Sequence, residues 1–246
     1  MDKSTDPGIL EIHHIEGARS FRVAWLCEEI GLPYRLLFET GDMLASVVRI
    51  REEFPLMPMA PVLYIKGQPM VESGAMLEVL TTRYGPELMP DIHSPDYLRH
   101  EQWLHFAEGS MMSRIVSQRL VSFASGVDVD KLPRGYVAGE SSTNFESIGP
   151  YAIFAFLDDY LARFPYFGGA NFSSADIMMH FAVRSAYRVV WIDYEDYANI
   201  SRWKALIEQR PAFVRATEAC VPGGTGKDGM AIGAQHPFTL RPSAEQ

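Results

Sequence analysis

Residues 60–75 read APVLYIKGQPMVESGA and combine a strand, a turn and the start of a helix. Residues 62–65 are β-forming residues in a continuous apolar run, which predicts a strand buried on both faces. Pro61 stands at the first residue of that strand, where a missing backbone donor is tolerated. Glu72 and Ser73 then place an acidic side chain and a capping hydroxyl at the start of a helix. The apolar residues of that helix recur at a helical period: Met76, Leu77, Leu80 and Tyr84.

The segment before this stretch predicts a strand–helix–strand unit. Residues 9–14 read ILEIHH and are typical of a short strand, and Ser20 is a suitable N-cap for the helix that follows. Gly31 and Pro33 are typical of the end of that helix, and residues 34–38 begin a second extended segment. The buried face of the helix is predicted at Val23, Leu26, Cys27 and Ile30. This order of elements indicates an α/β domain.

Beyond residue 95 the apolar residues follow a helical period throughout. Residues 87–95 have the character of a linker, and residues 124–146 are rich in Gly, Ser, Asp and Pro, which indicates a longer connection. Ser173 and Asp176 fit a capping box ahead of an apolar run, a role in folding rather than in chemistry. The second part of the chain is therefore predicted to be all-helical, with an irregular tail from Val221.

Composition, apolar runs and cysteine use argue against several classes of partner and location. A chain of 246 residues with net charge −9 does not favour nucleic acid or an anionic membrane as its main partner. No apolar run approaches the roughly 20 residues of a membrane span, and residues 1–8 lack the apolar core of a signal peptide. Cys27 and Cys220 lie far apart in the sequence, which suggests a reducing compartment rather than a disulfide scaffold. We therefore expect a soluble cytoplasmic protein.

Four stretches together resemble the cytosolic glutathione S-transferase family, in particular its bacterial and fungal members. The similarity covers nearly the whole chain before the tail, and the order and spacing of the stretches carry it more than any one of them alone. They are residues 19–34 (RSFRVAWLCEEIGLPY), 60–63 with 72–75 (APVL and ESGA), 103–110 (WLHFAEGS), and 172–177 with 210–216 (FSSADI and RPAFVRA).

The resemblance implies a two-domain architecture and a co-substrate. It places an α/β thioredoxin-like, glutathione-binding domain at residues 9–86, an all-α domain with a hydrophobic-substrate pocket at residues 95–220, and an irregular tail at residues 221–246. It also implies glutathione as co-substrate and a role in detoxification. A homodimer is expected, in which the first domain of one subunit faces the helical domain of the other. No metal is expected.

The resemblance also assigns the residues that bind glutathione. In family members the bond before the equivalent of Pro61 is usually cis, which exposes the backbone of Ala60 to the cysteinyl part of glutathione. Without the family the bond would be assigned trans, because only about 5–6% of X–Pro bonds are cis. Glu72 and Ser73 would hold the γ-glutamyl amine and carboxylate respectively. A plain helix cap is the structural alternative, and both can hold together, because the N–H groups of a helix start bind carboxylates.

Candidates for the pocket of a small apolar substrate come from the third stretch and the residues after it. Trp103, Phe106 and Met111, with Met112, have the apolar character that such a pocket needs. Apolar residues at helical spacing more often form a core. Only some of these side chains are therefore expected to reach a ligand.

The chain departs from the family pattern in the turn before the first helix. Many relatives carry a Ser, Tyr or Cys there, whereas residues 16–18 read EGA and offer no hydroxyl or thiol. A thiol of pKa about 8.5 is activated by nearby donors or cations. Ser20 is the nearest replacement, and Arg19 or backbone N–H groups alone could also serve. Alternatively, Ser20 only caps its helix and Arg19 is solvated. His13 and His14 are more typical of packing or surface positions than of bases.

Three functions remain open from the sequence. The leading one is a glutathione transferase that activates the thiol for attack on an apolar electrophilic or ether-linked substrate. The second is glutathione-dependent reduction of peroxides or disulfides, although the turn lacks the cysteine of the glutaredoxin-like subset. The third is a non-catalytic binding protein of the same fold, which the missing turn hydroxyl favours. The chain has no C-x-x-C motif, so it is not predicted to be a dithiol oxidoreductase itself.

Overall fold

The computed structural model describes residues 6–126 and 149–224. Its first part is a four-stranded mixed sheet with helices. The strands are β1 (Leu10–His13), β2 (Tyr34–Leu37), β3 (Val62–Ile65) and β4 (Gln68–Met70), and the helices are α1 (Ser20–Ile30), α2 (Met43–Glu53) and α3 (Ser73–Tyr84). The strand order is β2-β1-β3-β4. Since β1 pairs in parallel with β2 across α1, the predicted strand–helix–strand unit is confirmed, whereas β3 is antiparallel to both its neighbours.

The second part is helical, as the period of the sequence predicts. It contains α4 (Pro95–Phe106), a π-helical segment (Ala107–Met112), α5 (Ser113–Ser125), α6 (Pro150–Arg163), α7 (Ser174–Val189), α8 (Ala198–Glu208) and α9 (Pro211–Cys220). Most of the predicted connection at residues 124–146, and the tail from residue 225 onward, lie outside the described residues. In the part of the chain with described coordinates, no helix has both the length and the hydropathy that crossing a membrane requires.

Helix α1 lies at the centre of the packing. The predicted buried face is confirmed at Val23, Leu26 and Cys27, whereas Ile30 is only partly buried. The buried surface is also wider than predicted, because every residue from Ser20 to Cys27 is buried. The helix packs on the sheet and α3 on one side and on α7 and α9 on the other. Ion pairs from Glu29 to Arg210 and from Glu28 to Arg215 hold it against α9. Both cysteines are free thiols enclosed in this core, as predicted for Cys27.

The two predicted serine caps are wrong, and the predicted capping box is confirmed. Ser20 and Ser73 are the first residues of α1 and α3, and neither helix has a side-chain cap, because both hydroxyls are engaged with other side chains. Ser173 and Asp176 form the reciprocal capping box at the start of α7. The buried Asp176 carboxylate also accepts hydrogen bonds from the Phe167 N–H and the Trp203 indole, both at 2.8 Å.

Only the first two of the four residues of strand β3 are buried, whereas the sequence predicts that all four are. Val62 and Leu63 are fully buried, but Tyr64 and Ile65 are partly exposed. The reason is that β3 pairs with β4, a short edge strand with exposed residues, at this end of the sheet. The start of β3, next to Pro61, is therefore the well-packed end.

Candidate functional site

The turn into β3 has the backbone form that the resemblance implies. The Ala60–Pro61 peptide bond is cis, Pro61 is buried and Ala60 is partly exposed. Val62 is paired with His13 of β1, so the turn is anchored by the sheet. The backbone of the partly exposed Ala60 is thus held in place by strand β3 of the sheet.

Helix α3 begins next to this turn with an unusual backbone. Glu72 precedes the helix with φ +73° and ψ +101°, a conformation that non-glycine residues rarely adopt. Strained residues of this kind cluster at ligand-binding sites. The Glu72 side chain is exposed, and no side chain caps the first N–H groups of the helix. This arrangement leaves a helix N-terminus suited to a carboxylate, beside an acidic group suited to an amine.

The Ser73 hydroxyl faces a buried arginine. The Ser73 side chain is buried, and its Oγ accepts a hydrogen bond of 3.1 Å from Nη1 of Arg22 on α1. Arg22 is completely enclosed and also donates from Nη2 to the Met178 carbonyl oxygen at 2.8 Å. A single side chain of α1 thus connects the start of α3 with α7.

A three-membered ionic cluster joins α1 to the π-helical segment. The Glu108 carboxylate accepts two hydrogen bonds from Arg19, Nε–Oε1 and Nη2–Oε2, each 2.8 Å long, and one of 2.5 Å from Arg22 Nη1. Burial alone would raise the pKa of Glu108, but the attraction of Arg22 and Arg19 overcomes it and lowers the pKa. Burial lowers the pKa of Arg22 to about 10, so its guanidinium remains charged at neutral pH. The cluster therefore carries one net positive charge.

The turn before α1 contains no hydroxyl but lies next to cations. Gly17 has φ +73°, and its carbonyl oxygen accepts a 3.4 Å hydrogen bond from Arg188 of α7. The Glu16 carboxylate accepts a 3.0 Å hydrogen bond from the Gly41 N–H, in the turn before α2. The side chain of Arg19 is about one-third exposed, so it can be reached from solvent at this turn.

Ser20 is enclosed and bonded to His14. The His14 Nε2 lies 2.7 Å from the Cys220 carbonyl oxygen, which can only accept, so Nε2 carries the proton. His14 Nδ1 is then an acceptor, and the Ser20 hydroxyl, 2.8 Å away, donates to it. Burial lowers the pKa of His14 to about 4, which keeps the imidazole neutral. The Ser20 hydroxyl therefore belongs to an internal network that links His14, directly after β1, with α1 and the end of α9.

The predicted pocket residues divide between core and surface. Trp103 and Met111 are completely enclosed, whereas Phe106 is partly exposed and packs on the Trp103 ring at a centroid distance of 5.0 Å. Phe156 of α6, 46% exposed, lies 6.0 Å from Phe106 between ring centroids. In this structure Phe106 can therefore touch a ligand without rearrangement, and Trp103 and Met111 support it from behind.

One group of possible metal ligands occurs among the described residues. Oxygen and nitrogen atoms of Glu78, Glu101 and His105 lie within 4.8 Å of one another at the crossing of α3 and α4. The shortest of these contacts to the exposed His105 is 3.4 Å, from Glu78. An exposed contact between His105 and the Glu78 carboxylate accounts for this geometry.

Two residues of the site were missed by the sequence reasoning. Arg22 and Glu108 both lie inside the stretches that carry the family resemblance, but a charged residue in a helix is usually solvated. The position of Arg22 in the sequence indicates that it is buried, because it stands between Phe21 and Val23 in an apolar part of the predicted helix. A charge on that face must be buried and paired.

Comparison with known proteins agrees with the architecture. No protein-family model matches the chain. Glutathione S-transferase 3 of Schizosaccharomyces pombe is 29% identical over 217 residues, covering 85% of this chain and 87% of that protein. Glutathione S-transferase 1 of Saccharomyces cerevisiae is 20% identical over 233 residues, covering 85% and 94% respectively.

Solved structures of the same family have the same fold. A glutathione S-transferase of Actinobacillus pleuropneumoniae superposes with a TM-score of 0.67 at 23% identity, covering 86% of this chain and 92% of that one. The theta-class enzyme of Xanthomonas axonopodis pv. citri, solved with glutathione bound, gives a TM-score of 0.61 at 19% identity, covering 84% and 96%. The predicted fold, a thioredoxin-like part followed by a helical part, is confirmed. The chain is therefore similar in sequence to glutathione S-transferases and has the fold of these enzymes.

Proposed function

We propose that this chain is a glutathione transferase, in which the bound glutathione thiolate attacks a small apolar electrophilic or ether-linked substrate. A carbon–sulfur bond forms, the whole glutathionyl group is joined to the substrate, and a halide or the oxygen of the ether leaves where the substrate carries one. One observation carries the proposal: the cis-Pro61 turn, the uncapped start of α3 at Ser73 and the arginine cluster at Arg19 occur together in a chain of this fold. The first two features fit the backbone and γ-glutamyl group of glutathione. The third supplies positive charge for a thiolate.

Each part of glutathione has a matching group. The γ-glutamyl carboxylate would bind the N–H groups at the start of α3 and the Ser73 hydroxyl, and the α-amine would pair with the exposed Glu72 carboxylate. The cysteinyl backbone would form hydrogen bonds with residue 60 in the cis turn. These contacts would place the sulfur toward the turn at residues 16–18.

Arg19 is the better of the two candidates for stabilising the thiolate. Ser20 is fully buried and its proton is donated to His14, so it has no free donor for a ligand. Arg19 is partly exposed, adjacent to Ala18, and belongs to a cluster with one net positive charge. Preorganised positive charge near a thiol favours its ionised form without a hydroxyl. The catalytic effect would therefore be mainly electrostatic.

The second substrate would lie between this turn and α4. Phe106 and Phe156 offer exposed aromatic surface there, which suits an apolar compound. Glutathione-dependent reduction of peroxides or disulfides is the alternative reaction of the same bound thiolate. Parallel assays with an aryl halide, an organic peroxide and a mixed disulfide separate the two activities.

A homodimer is part of the proposal. The loop before the cis turn exposes apolar side chains, among them Leu56 at 97%, Met57 and Met59, a pattern typical of a covered surface. Light scattering coupled to size-exclusion chromatography should give twice the chain mass of 27.7 kDa. Exchange of Leu56→Glu should shift it toward the monomer. We further propose that the enzyme works in the cytoplasm, where thiols such as Cys27 stay reduced, and serves detoxification.

Calorimetric titration with glutathione tests the proposal directly. Binding in the micromolar to millimolar range is expected, and Ser73→Ala and Glu72→Gln should each weaken it. Ser201→Ala on α8 and Glu87→Gln are the matched controls, since both lie away from the site and should bind as the unmodified protein does. Absence of binding at millimolar glutathione would contradict it. Binding without turnover of any of the three substrate classes would instead support the non-catalytic alternative.

A further inference from the structure

The buried guanidinium of Arg22 adds charge to the cluster with Arg19 and Glu108, but the proposed function gives it no contact with glutathione. Taking a charge out of water is costly unless it is paired and hydrogen-bonded. Arg22 is paired with Glu108 and donates hydrogen bonds to Ser73 and to the Met178 carbonyl oxygen, whereas its buried Nε has no partner among the described residues. Of these partners, Ser73 is the one proposed to touch glutathione.

The direction of the Arg22–Ser73 hydrogen bond determines what the hydroxyl can do. A guanidinium only donates, so Ser73 Oγ must be the acceptor in the 3.1 Å contact with Arg22 Nη1. The hydroxyl proton is then excluded from the Arg22 side and must be directed elsewhere. The N–H of the same residue opens α3, where anions are favoured.

We infer that Arg22, held by Glu108, is a positioning residue of the glutathione site, which orients the Ser73 hydroxyl as a donor to the γ-glutamyl carboxylate. This inference rests on the proposed function. Arg22 itself stays buried and does not touch the ligand. It acts by keeping the Ser73 oxygen occupied as an acceptor, so that the hydroxyl and the helix N–H present two donors to one anion.

Glu108 couples the two ends of the bound peptide. It is shared by Arg22, near the γ-glutamyl end, and by Arg19, at the turn that would face the sulfur. Arg19 directly precedes α1 with a helical backbone, three residues before Arg22, and the two side chains therefore lie on the same face. Glu108 lies in the π-helical segment, an irregularity that often marks functional positions. Removing the Glu108 charge should therefore weaken binding at the γ-glutamyl end and lower the thiol pKa at the sulfur end.

A double-mutant cycle separates positioning from general stability. The probe is S-methylglutathione, which has no thiol, and the measured quantity is its dissociation constant by calorimetry for the unmodified protein, Ser73→Ala, Arg22→Met and the double variant. Each single change should weaken binding about tenfold, the effect of one charge-assisted hydrogen bond. The double variant should be weakened by about the same factor, because Arg22 acts only through the Ser73 hydroxyl.

The control for a general loss of packing is Arg210→Met. Arg210 is likewise ion-paired to α1, through Glu29, but lies directly before α9, away from Ser73. It should lower the melting temperature without changing the dissociation constant. Should Arg22→Met fail to fold, Glu108→Gln takes its place in the same cycle.

Glu108→Gln also gives a readout that a structural role would not move. Removing its negative charge leaves Arg19 without its counter-ion, so the thiol pKa of bound glutathione should fall further while S-methylglutathione binds less tightly. Unchanged affinity in Arg22→Met, or a double variant weakened about a hundredfold, the product of the single effects, would overturn the inference. Failure of the unmodified protein to bind either peptide would instead overturn the proposed function.

Discussion

Arg19 and Glu108 form a bidentate ion pair, with both nitrogen–oxygen distances at 2.8 Å, between the start of α1 and the π-helical segment. The pair connects the α/β part of the chain to the helical part, at the turn where many relatives carry a catalytic hydroxyl. It therefore holds a positive charge where the proposed thiolate would lie. Since both side chains are about one-third exposed, an incoming anion can compete for Arg19.

Ser20→Ala should lower stability and leave the chemistry unchanged. The change leaves His14 Nδ1 without its donor and removes an acceptor 3.3 Å from the Ile15 N–H. The expected loss in unfolding free energy is about 1–3 kcal/mol, measured by urea denaturation. The thiol pKa of bound glutathione should stay the same. A rise in that pKa in Ser20→Ala, with Ser201→Ala unaffected, would mean that the buried hydroxyl does act on the sulfur.

Phe106→Ala should change mainly the KM, and Met111→Ala mainly the stability. Phe106 is partly exposed, so its removal should mainly raise KM for an aromatic electrophile. Met111 is completely enclosed, and its truncation leaves a cavity that should cost about 2–5 kcal/mol of stability. Steady-state kinetics and thermal denaturation of the two variants distinguish the roles. Equal effects of both changes on KM would contradict the division between surface and core.

Asp176→Ala should be among the most destabilising single changes in the helical part. The Asp176 carboxylate accepts hydrogen bonds from the N–H groups of Phe167 and Ser173 and from the Trp203 indole, all of which would lose a buried partner. We expect a loss of about 3 kcal/mol or more in urea denaturation. Asp159→Ala, which removes an exposed pair with Arg163, should cost about 0.5 kcal/mol or less. A small effect at Asp176 would show that water replaces the carboxylate.

His14 should make the protein less stable in mild acid. Its pKa is about 4 in the folded protein, against 6.5 for a free imidazole, so the unfolded chain takes up the proton first as pH falls. The contribution is fully present above pH 6.5 and is lost between pH 6.5 and 4, up to about 3 kcal/mol.

The comparison that isolates this effect is His14→Gln, whose amide can donate to the Cys220 carbonyl and accept from Ser20. Other titrating groups, such as His180 with its lowered pKa and Asp176 with its raised one, are common to both proteins. The unfolding free energy of the variant should therefore fall less steeply from pH 6.5 to 4. Parallel curves for the two proteins would contradict the buried neutral imidazole.

Local patterns predicted the elements well, because they depend on nearby residues. The strand at 62–65, the end of α1 at Gly31 and the capping box at Ser173 all follow from neighbouring side chains. The two serine caps were wrong because distant partners, His14 for Ser20 and Arg22 for Ser73, compete for the hydroxyls. Periodicity cannot reveal such competition.

The candidate site was predictable only in part. Family resemblance supplied the cis bond before Pro61, which the sequence alone would assign as trans. The cluster of Arg19, Arg22 and Glu108 joins positions up to 89 residues apart in sequence, and only the packing of α1 against the π-helical segment brings them together. Exposure also separated Phe106 from Met111, which the sequence had treated alike.

The role of Arg19 is tested most directly by the thiol pKa of bound glutathione, measured by the ultraviolet absorbance of the thiolate across pH. In the unmodified protein we expect a pKa at least one unit below that of free glutathione, about 8.5 for a cysteine thiol. In Arg19→Gln the pKa should return toward the free value, while S-methylglutathione still binds. An unshifted thiol pKa in the unmodified protein, or the same lowered pKa in Arg19→Gln, would contradict the claim that Arg19 activates the thiol.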